Sequence, residues 1–154
     1  MAAKNHAVWV YPITMGACNG CDQQILALNA PAYQLRSMGI SFVNSPRHAD
    51  IVLLTGVLTK RMRSVVERTL ASVPSPHALV AVGDCAIHGG VFADNPQILT
   101  NASDILNVNI EIAGDPPTPD QIIAAIVEAA RQLDEAEKST NTVDETQDEE
   151  EPAK

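Results

Sequence analysis

Three cysteines are the residues whose type and spacing most directly suggest chemistry. Cys18 and Cys21 stand three positions apart in Met15-Gly16-Ala17-Cys18-Asn19-Gly20-Cys21-Asp22, a loop short enough to turn both sulfurs toward one metal centre. The remaining one, Cys85, lies in Val82-Gly83-Asp84-Cys85-Ala86-Ile87-His88-Gly89-Gly90, again directly after an apolar run and again among glycines. Three thiolates make a soft donor set, suited to zinc or to an iron–sulfur cluster. Structural zinc more often draws on two tight pairs of ligands. One pair joined by single ligands far along the chain better fits a cluster held in a shallow bowl of loops. A helix starting near Cys21 would also turn its first N–H groups toward an anionic group. On donor chemistry alone, iron–sulfur ranks ahead of zinc.

The elements that must position these thiols can be read from periodicity. An apolar, β-favouring run at 7–10 predicts a first strand, and Pro12 and Gly16 mark the loop after it. Ile25, Leu26, Leu28 and Ala30 suit a short helix over 21–30, limited by Pro31. Strands are expected at 39–43 and 51–54. Thr59 is an N-cap for a helix over 60–72, with Met62, Val65, Val66 and Leu70 as its buried stripe. The unbroken run Ala78-Leu79-Val80-Ala81-Val82 predicts a fourth strand buried on both faces, and 108–112 a fifth. Thr118 with Gln121 forms a capping-box pattern, with Pro119 at the first helical position, ahead of a helix through Ile122, Ile126, Ala130 and Leu133.

Strands alternating with helices imply an open, mostly parallel α/β sheet, with helices on both faces. Ligands of such sheets bind beyond the carboxyl ends of the strands. Cys18 and Cys21 follow the first strand, Cys85 the fourth and Asp115 the fifth, so all these loops can share one edge.

The chain of 154 residues fits a single domain at 1–138, and 45% hydrophobic with 19% charged residues is ordinary for a globular protein. Its net charge of -9 argues against nucleic acid as a partner. Residues 134–154 hold nine acids against two bases, so -7 of that charge is local. The segment 139–154 is polar, acidic and without periodicity, and is expected to be a disordered tail. No apolar run reaches the roughly 20 residues of a membrane-spanning helix, and no secretory signal is evident. A close thiol pair in such a chain suits metal or redox chemistry better than a disulfide. The expected setting is the cytoplasm, free or held at a membrane by partners.

Four segments, in this order, carry a resemblance: Gly16-Ala17-Cys18-Asn19-Gly20-Cys21-Asp22, Ala49-Asp50-Ile51-Val52-Leu53-Leu54-Thr55-Gly56, Val80-Ala81-Val82-Gly83-Asp84-Cys85-Ala86 with Gly89-Gly90, and Gly114-Asp115-Pro116-Pro117-Thr118-Pro119. The chain resembles the small-subunit family shared by nickel–iron hydrogenases and the 20 kDa iron–sulfur subunit of respiratory complex I. The spaced pair Cys18/Cys21 is most similar to the membrane-bound, energy-converting hydrogenases, since complex I subunits carry adjacent cysteines there.

The resemblance implies a flavodoxin-like domain with one [4Fe-4S] cluster, held by Cys18, Cys21 and Cys85 beside the active site of a catalytic large subunit. Where the family has Gly-Cys-Pro-Pro this chain has Gly114-Asp115-Pro116-Pro117. Asp115 as an oxygen ligand, His88 from the Cys85 loop, or a site with only three irons all stay open, with Asp115 favoured and a labile fourth iron expected. Gln24 stands where hydrogenase small subunits often carry glutamate, which puts a proton path through that position in doubt.

The implied role is an electron-transfer subunit of a hydrogenase-type oxidoreductase complex, without a catalytic centre of its own. The resemblance further implies a second iron–sulfur or ferredoxin-type subunit and membrane subunits as partners. Two alternatives stand beside it: a complex I-like subunit passing electrons to a quinone, and a structural zinc- or nucleotide-binding module, for which no glycine-rich phosphate motif is present. Lys60, Arg61 and Arg63 read as a solvated or subunit-facing helix face.

Overall fold

The computed structural model describes residues 7–144. Five strands, β1 (Val8–Gly16), β2 (Ile40–Phe42), β3 (Ile51–Gly56), β4 (Ala78–Val82) and β5 (Ile110–Ile112), form one sheet in the order β2-β1-β3-β4-β5. Every pairing is parallel. Parallel neighbours need crossovers, and helices supply most of them: α1 (Gly20–Ala27), α2 (Lys60–Leu70), and the short α3 (Asp84–His88) and α4 (Ala102–Leu106); the long α5 (Pro119–Asp144) follows the last strand. This strand order is the flavodoxin-like doubly wound one, with its switch point between β1 and β3.

Alternate residues of each strand feed two cores. Val10, Ile51, Leu53, Val80 and Val82 pack with Cys21 and Ile25 of α1, with Leu28 just after it, and with Ile122, Ile126 and Leu133 of α5. On the other face Ile13, Met15, Val52, Leu54 and Leu79 pack with Val66 of α2, Ala86 of α3 and Leu106 of α4. β3 and β4 are buried at every position, as a two-sided parallel sheet demands.

Several boundaries differ from the sequence expectation. β1 continues through Pro12 to Gly16 rather than stopping at Val10. Alternation explains why proline is tolerated: Val10 turns its carbonyl to Val43 on the β2 side, and Pro12 points the same way, past the end of β2 at Phe42. Its missing N–H therefore costs no ladder bond.

α1 stops at Ala27, before the expected Ala30, and Leu26 is 60% exposed while Ile25 and Leu28 are buried. Along α2 the expected stripe narrows to buried Val66, with Met62 and Leu70 packed against the core and Val65 exposed. α3 and α4 have no counterpart in the sequence expectation; at five residues each they are too short to show a period. The C-terminal helix runs to Asp144, so the expected boundary at Lys138 falls inside it, and the rest of the acidic tail lies outside the described residues. The Thr59 N-cap is present, its side chain accepting from the Met62 N–H at 3.1 Å. So is the capping box, where Gln121 Oε1 accepts from the Thr118 N–H at 2.8 Å.

Candidate functional site

The site lies where the strands end. β1 and β3 finish side by side at Gly16 and Gly56, and Val57 N–H donates to the Gly16 carbonyl at 3.2 Å. Gly56 adopts φ +75°, and a Cβ there would lie 2.6 Å from the Ala17 nitrogen. Glycine is thus required by both conformation and space, and it lets the start of the cysteine loop lie directly against β3. Asn19, left-handed at φ 70°, turns the chain into α1, and its carbonyl accepts from the Gln23 N–H at 2.9 Å. Cys18 precedes the turn and is exposed; Cys21 sits in the first helical turn and is buried.

Two further loops approach from β4 and β5. Gly83 N–H donates to the Ile112 carbonyl at 2.8 Å, and Asp84 N–H to the Gly114 carbonyl at 3.0 Å. In return the Gly114 N–H donates to Asp84 Oδ1, also at 3.0 Å. This reciprocal pair ties the Cys85 loop to the Asp115 loop. Gly83 stands at φ +90°, and a Cβ on it would come within 2.7 Å of Cys21 Sγ and 3.2 Å of the Gly114 carbonyl. Three separate loops therefore meet over one bare Cα. Asp115 is exposed beside it, joined to Pro116 by a cis peptide, and Thr118 caps α5 three residues on.

Cys21 and Cys85 each feel the other expected residues electrostatically. Burial pushes the Cys21 thiol up to about 11, assisted by the nearby Cys85, Cys18, Asp115 and Asp22. Cys85 is raised as well, by burial first and then by Asp115, Cys18 and Asp84, against a lowering hydrogen bond from its own backbone. Thiols so placed resist ionisation in the absence of a compensating cation, and a metal group that displaced their protons would relieve that cost. Among the described residues no three His, Cys, Asp or Glu side chains close on a single metal-ion position. The donors are spread over the rim instead. His88 is exposed, and its Nδ1 accepts from the Gly90 N–H at 3.3 Å within its own loop.

Sequence reasoning found the thiols and Asp115 but missed the residues that hold their loops. Thr55, fully buried, donates to Asp22 Oδ1 at 2.6 Å, and Thr14 donates to the same oxygen at 3.0 Å. Asp84 is the clasp described above. A polar residue closing the apolar run 51–54 was the available signal for Thr55. For Asp84 the signal was adjacency to Cys85.

Comparison with known proteins places this arrangement among relatives. The family described as NADH ubiquinone oxidoreductase, 20 Kd subunit, matches residues 18–129. That span includes every thiol and Asp115. The chain is 36% identical over 125 residues to the probable membrane-bound hydrogenase subunit mbhJ of Pyrococcus furiosus, covering 81% of this chain and 75% of that one. It is 40% identical over 113 residues to formate hydrogenlyase subunit 7 of Escherichia coli, covering 73% of this chain and 44% of that one. Among solved structures, a chain of the membrane-bound sulfane sulfur reductase, an archaeal respiratory membrane complex, superposes with a TM-score of 0.70 at 26% identity, over 82% of this chain and 70% of that one.

Proposed function

The chain belongs to the family of the 20 kDa subunit of NADH ubiquinone oxidoreductase, and from that premise we propose that it is the electron-transfer subunit of a hydrogenase-type complex, holding one [4Fe-4S] cluster at the carboxyl rim of its sheet. One observation supports the proposal: the loops after β1, β4 and β5 meet at the carboxyl rim, where Cys21 Sγ and the Gly114 carbonyl close on the bare Cα of Gly83, and Cys21 and Cys85 each feel the charge of Cys18 and Asp115. This donor set is soft, and its spread over a rim suits a polynuclear group better than a single tetrahedral ion.

Cys18, Cys21 and Cys85 would hold three irons. Asp115 is the candidate for the fourth, because its loop is clasped to the Cys85 loop and its charge is felt by both Cys21 and Cys85. A bound cluster supplies one-electron transfer and nothing more. The chain's residues do the rest: α1 turns its first N–H groups to the rim, the two cores keep the loops fixed, and Gly83 leaves room for Cys21. Bond chemistry would belong to a large-subunit partner, with a second iron–sulfur or ferredoxin-type subunit continuing the electron path. Among the described residues no helix is long and apolar enough to cross a membrane, so attachment to one would run through membrane subunits, at the cytoplasmic face. Residues 1–138 carry the site, with the acidic segment beyond as an appendage.

A second reading, transfer to a quinone, is favoured by the description of the family itself. Two cysteine pairs in the neighbouring large subunit, as nickel requires, would decide for the hydrogenase type.

The test is iron and acid-labile sulfide analysis with EPR on anaerobically purified protein. Equal iron and sulfide with a cubane signal on reduction is expected. Zinc without sulfide overturns the proposal. An air-stable cubane unchanged in Asp115→Ala removes Asp115 from the ligand set.

A further inference from the structure

The tie between Asp22 and the two threonines has a role that neither the fold nor the ligand set assigns. Asp22 is the third residue of α1, a position from which an acid ordinarily complements the helix dipole or folds back on the N-cap N–H. Here its Oδ1 instead takes the hydroxyl protons of Thr55 at 2.6 Å and Thr14 at 3.0 Å. Asn19, the N-cap, makes no side-chain bond to the helix either. The first turn of α1 is therefore held sideways against β1 and β3, and its leading N–H groups are left without a side-chain acceptor. Thr55 has no exposed surface, and its other acceptors, the Ile13 carbonyl and Thr14 Oγ1, both stand at 3.4 Å, so loss of Asp22 leaves this buried hydroxyl with longer bonds only.

We infer that Asp22 is a positioning residue: bonded to Thr55 and Thr14, it fixes the turn that carries Cys21, so that the Cys21 sulfur faces the rim and the α1 N–H groups stay open to the group bound there. Its carboxylate also places a negative charge one residue from a ligand, which disfavours adding an electron and sets the potential lower than a neutral side chain would. The inference rests on the cluster assignment for the potential, but not for the placement of Cys21.

Two measurements separate these parts. In the cluster-free full-length chain, the rate of Cys21 alkylation by iodoacetamide is followed by peptide mapping. Thr55→Val is expected to raise it several-fold, Thr55→Ser to restore protection, and Asp22→Asn, which keeps an acceptor oxygen, to stay near wild type. In the anaerobically loaded chain, Asp22→Asn is expected to shift the midpoint potential upward with the EPR line shape preserved, and Thr55→Val to change the line shape. Wild-type alkylation in a folded Thr55→Val overturns the positioning role; should that variant not fold, Asp22→Ala, which removes the acceptor, is read by the same rate, and wild-type alkylation there overturns the role, while an unchanged midpoint in Asp22→Asn overturns the part assigned to its charge. If the wild type takes up no iron or sulfide, the cluster assignment falls, and the alkylation series alone decides whether Asp22 positions Cys21.

Discussion

At the scale of single residues, the site is a set of groups whose properties depend on one another. Cys21 is buried next to Cys85, Cys18 and Asp115, and each disfavours its thiolate. Below pH 9 this thiol is neutral in folded and unfolded chain alike. Between its ordinary value of 9.0 and about 11 the unfolded chain releases the proton while the folded one keeps it. Stability of the cluster-free protein therefore falls as pH rises through that window. Denaturant midpoints across the range should decline for the wild type and decline less in Cys21→Ser. Cluster uptake has the opposite sense: it requires the thiolates, releases protons and should slow as pH is lowered, which stopped-flow absorbance during reconstitution can follow. On the proposed ligand set, Asp115→Cys, which puts sulfur at the fourth position, should hold a fourth iron longer under air than the wild type, read as slower growth of a three-iron EPR signal.

Among the elements, precision comes from strand ends and helix starts. Gly83 joins β4 to α3 with φ +90° and no space for a Cβ between Cys21 Sγ and the Gly114 carbonyl. Gly83→Ala should cost about 1–3 kcal/mol of stability, the range for a strained backbone position, and should lose the iron of the site. Urea unfolding with iron analysis checks both. The contrast is Thr59→Ala, which removes the cap of α2, a helix packed on the face of the sheet opposite α1. It should cost about 1 kcal/mol while iron content stays at the wild-type value. A loss of iron there would mean that α2 supports the rim more directly than its capping bond indicates.

For the molecule as a whole, two apolar layers clamp one parallel sheet, and the loops that carry the three cysteines lie at a single edge of it. Among the described residues Leu133 is the last member of either core. Deletion of 145–154 should therefore leave the thermal midpoint and iron content unchanged, as measured by calorimetry and iron analysis. A drop in either would give that segment a structural part.

Much of this was legible from residue order. An unbroken apolar run such as 78–82 has few alternatives to a two-sided strand, and a Thr-Pro-Asp-Gln sequence has few alternatives to a helix start. The spacing of the cysteines pointed to the rim at which the structure sets their loops, and the soft-metal chemistry they suggest is the reading proposed for it. Three-dimensional packing settled what local pattern could not. Pro12 lies within β1 only because β2 is shorter than its neighbour, and Leu26 is exposed only because α1 turns a different side to the sheet. The roles of Thr55, Thr14 and Asp84 depend on partners 8 to 33 residues away in sequence. A hydroxyl or a carboxylate reads alike wherever it stands in a sequence, and only the approach of three strand ends specifies which donor meets which acceptor.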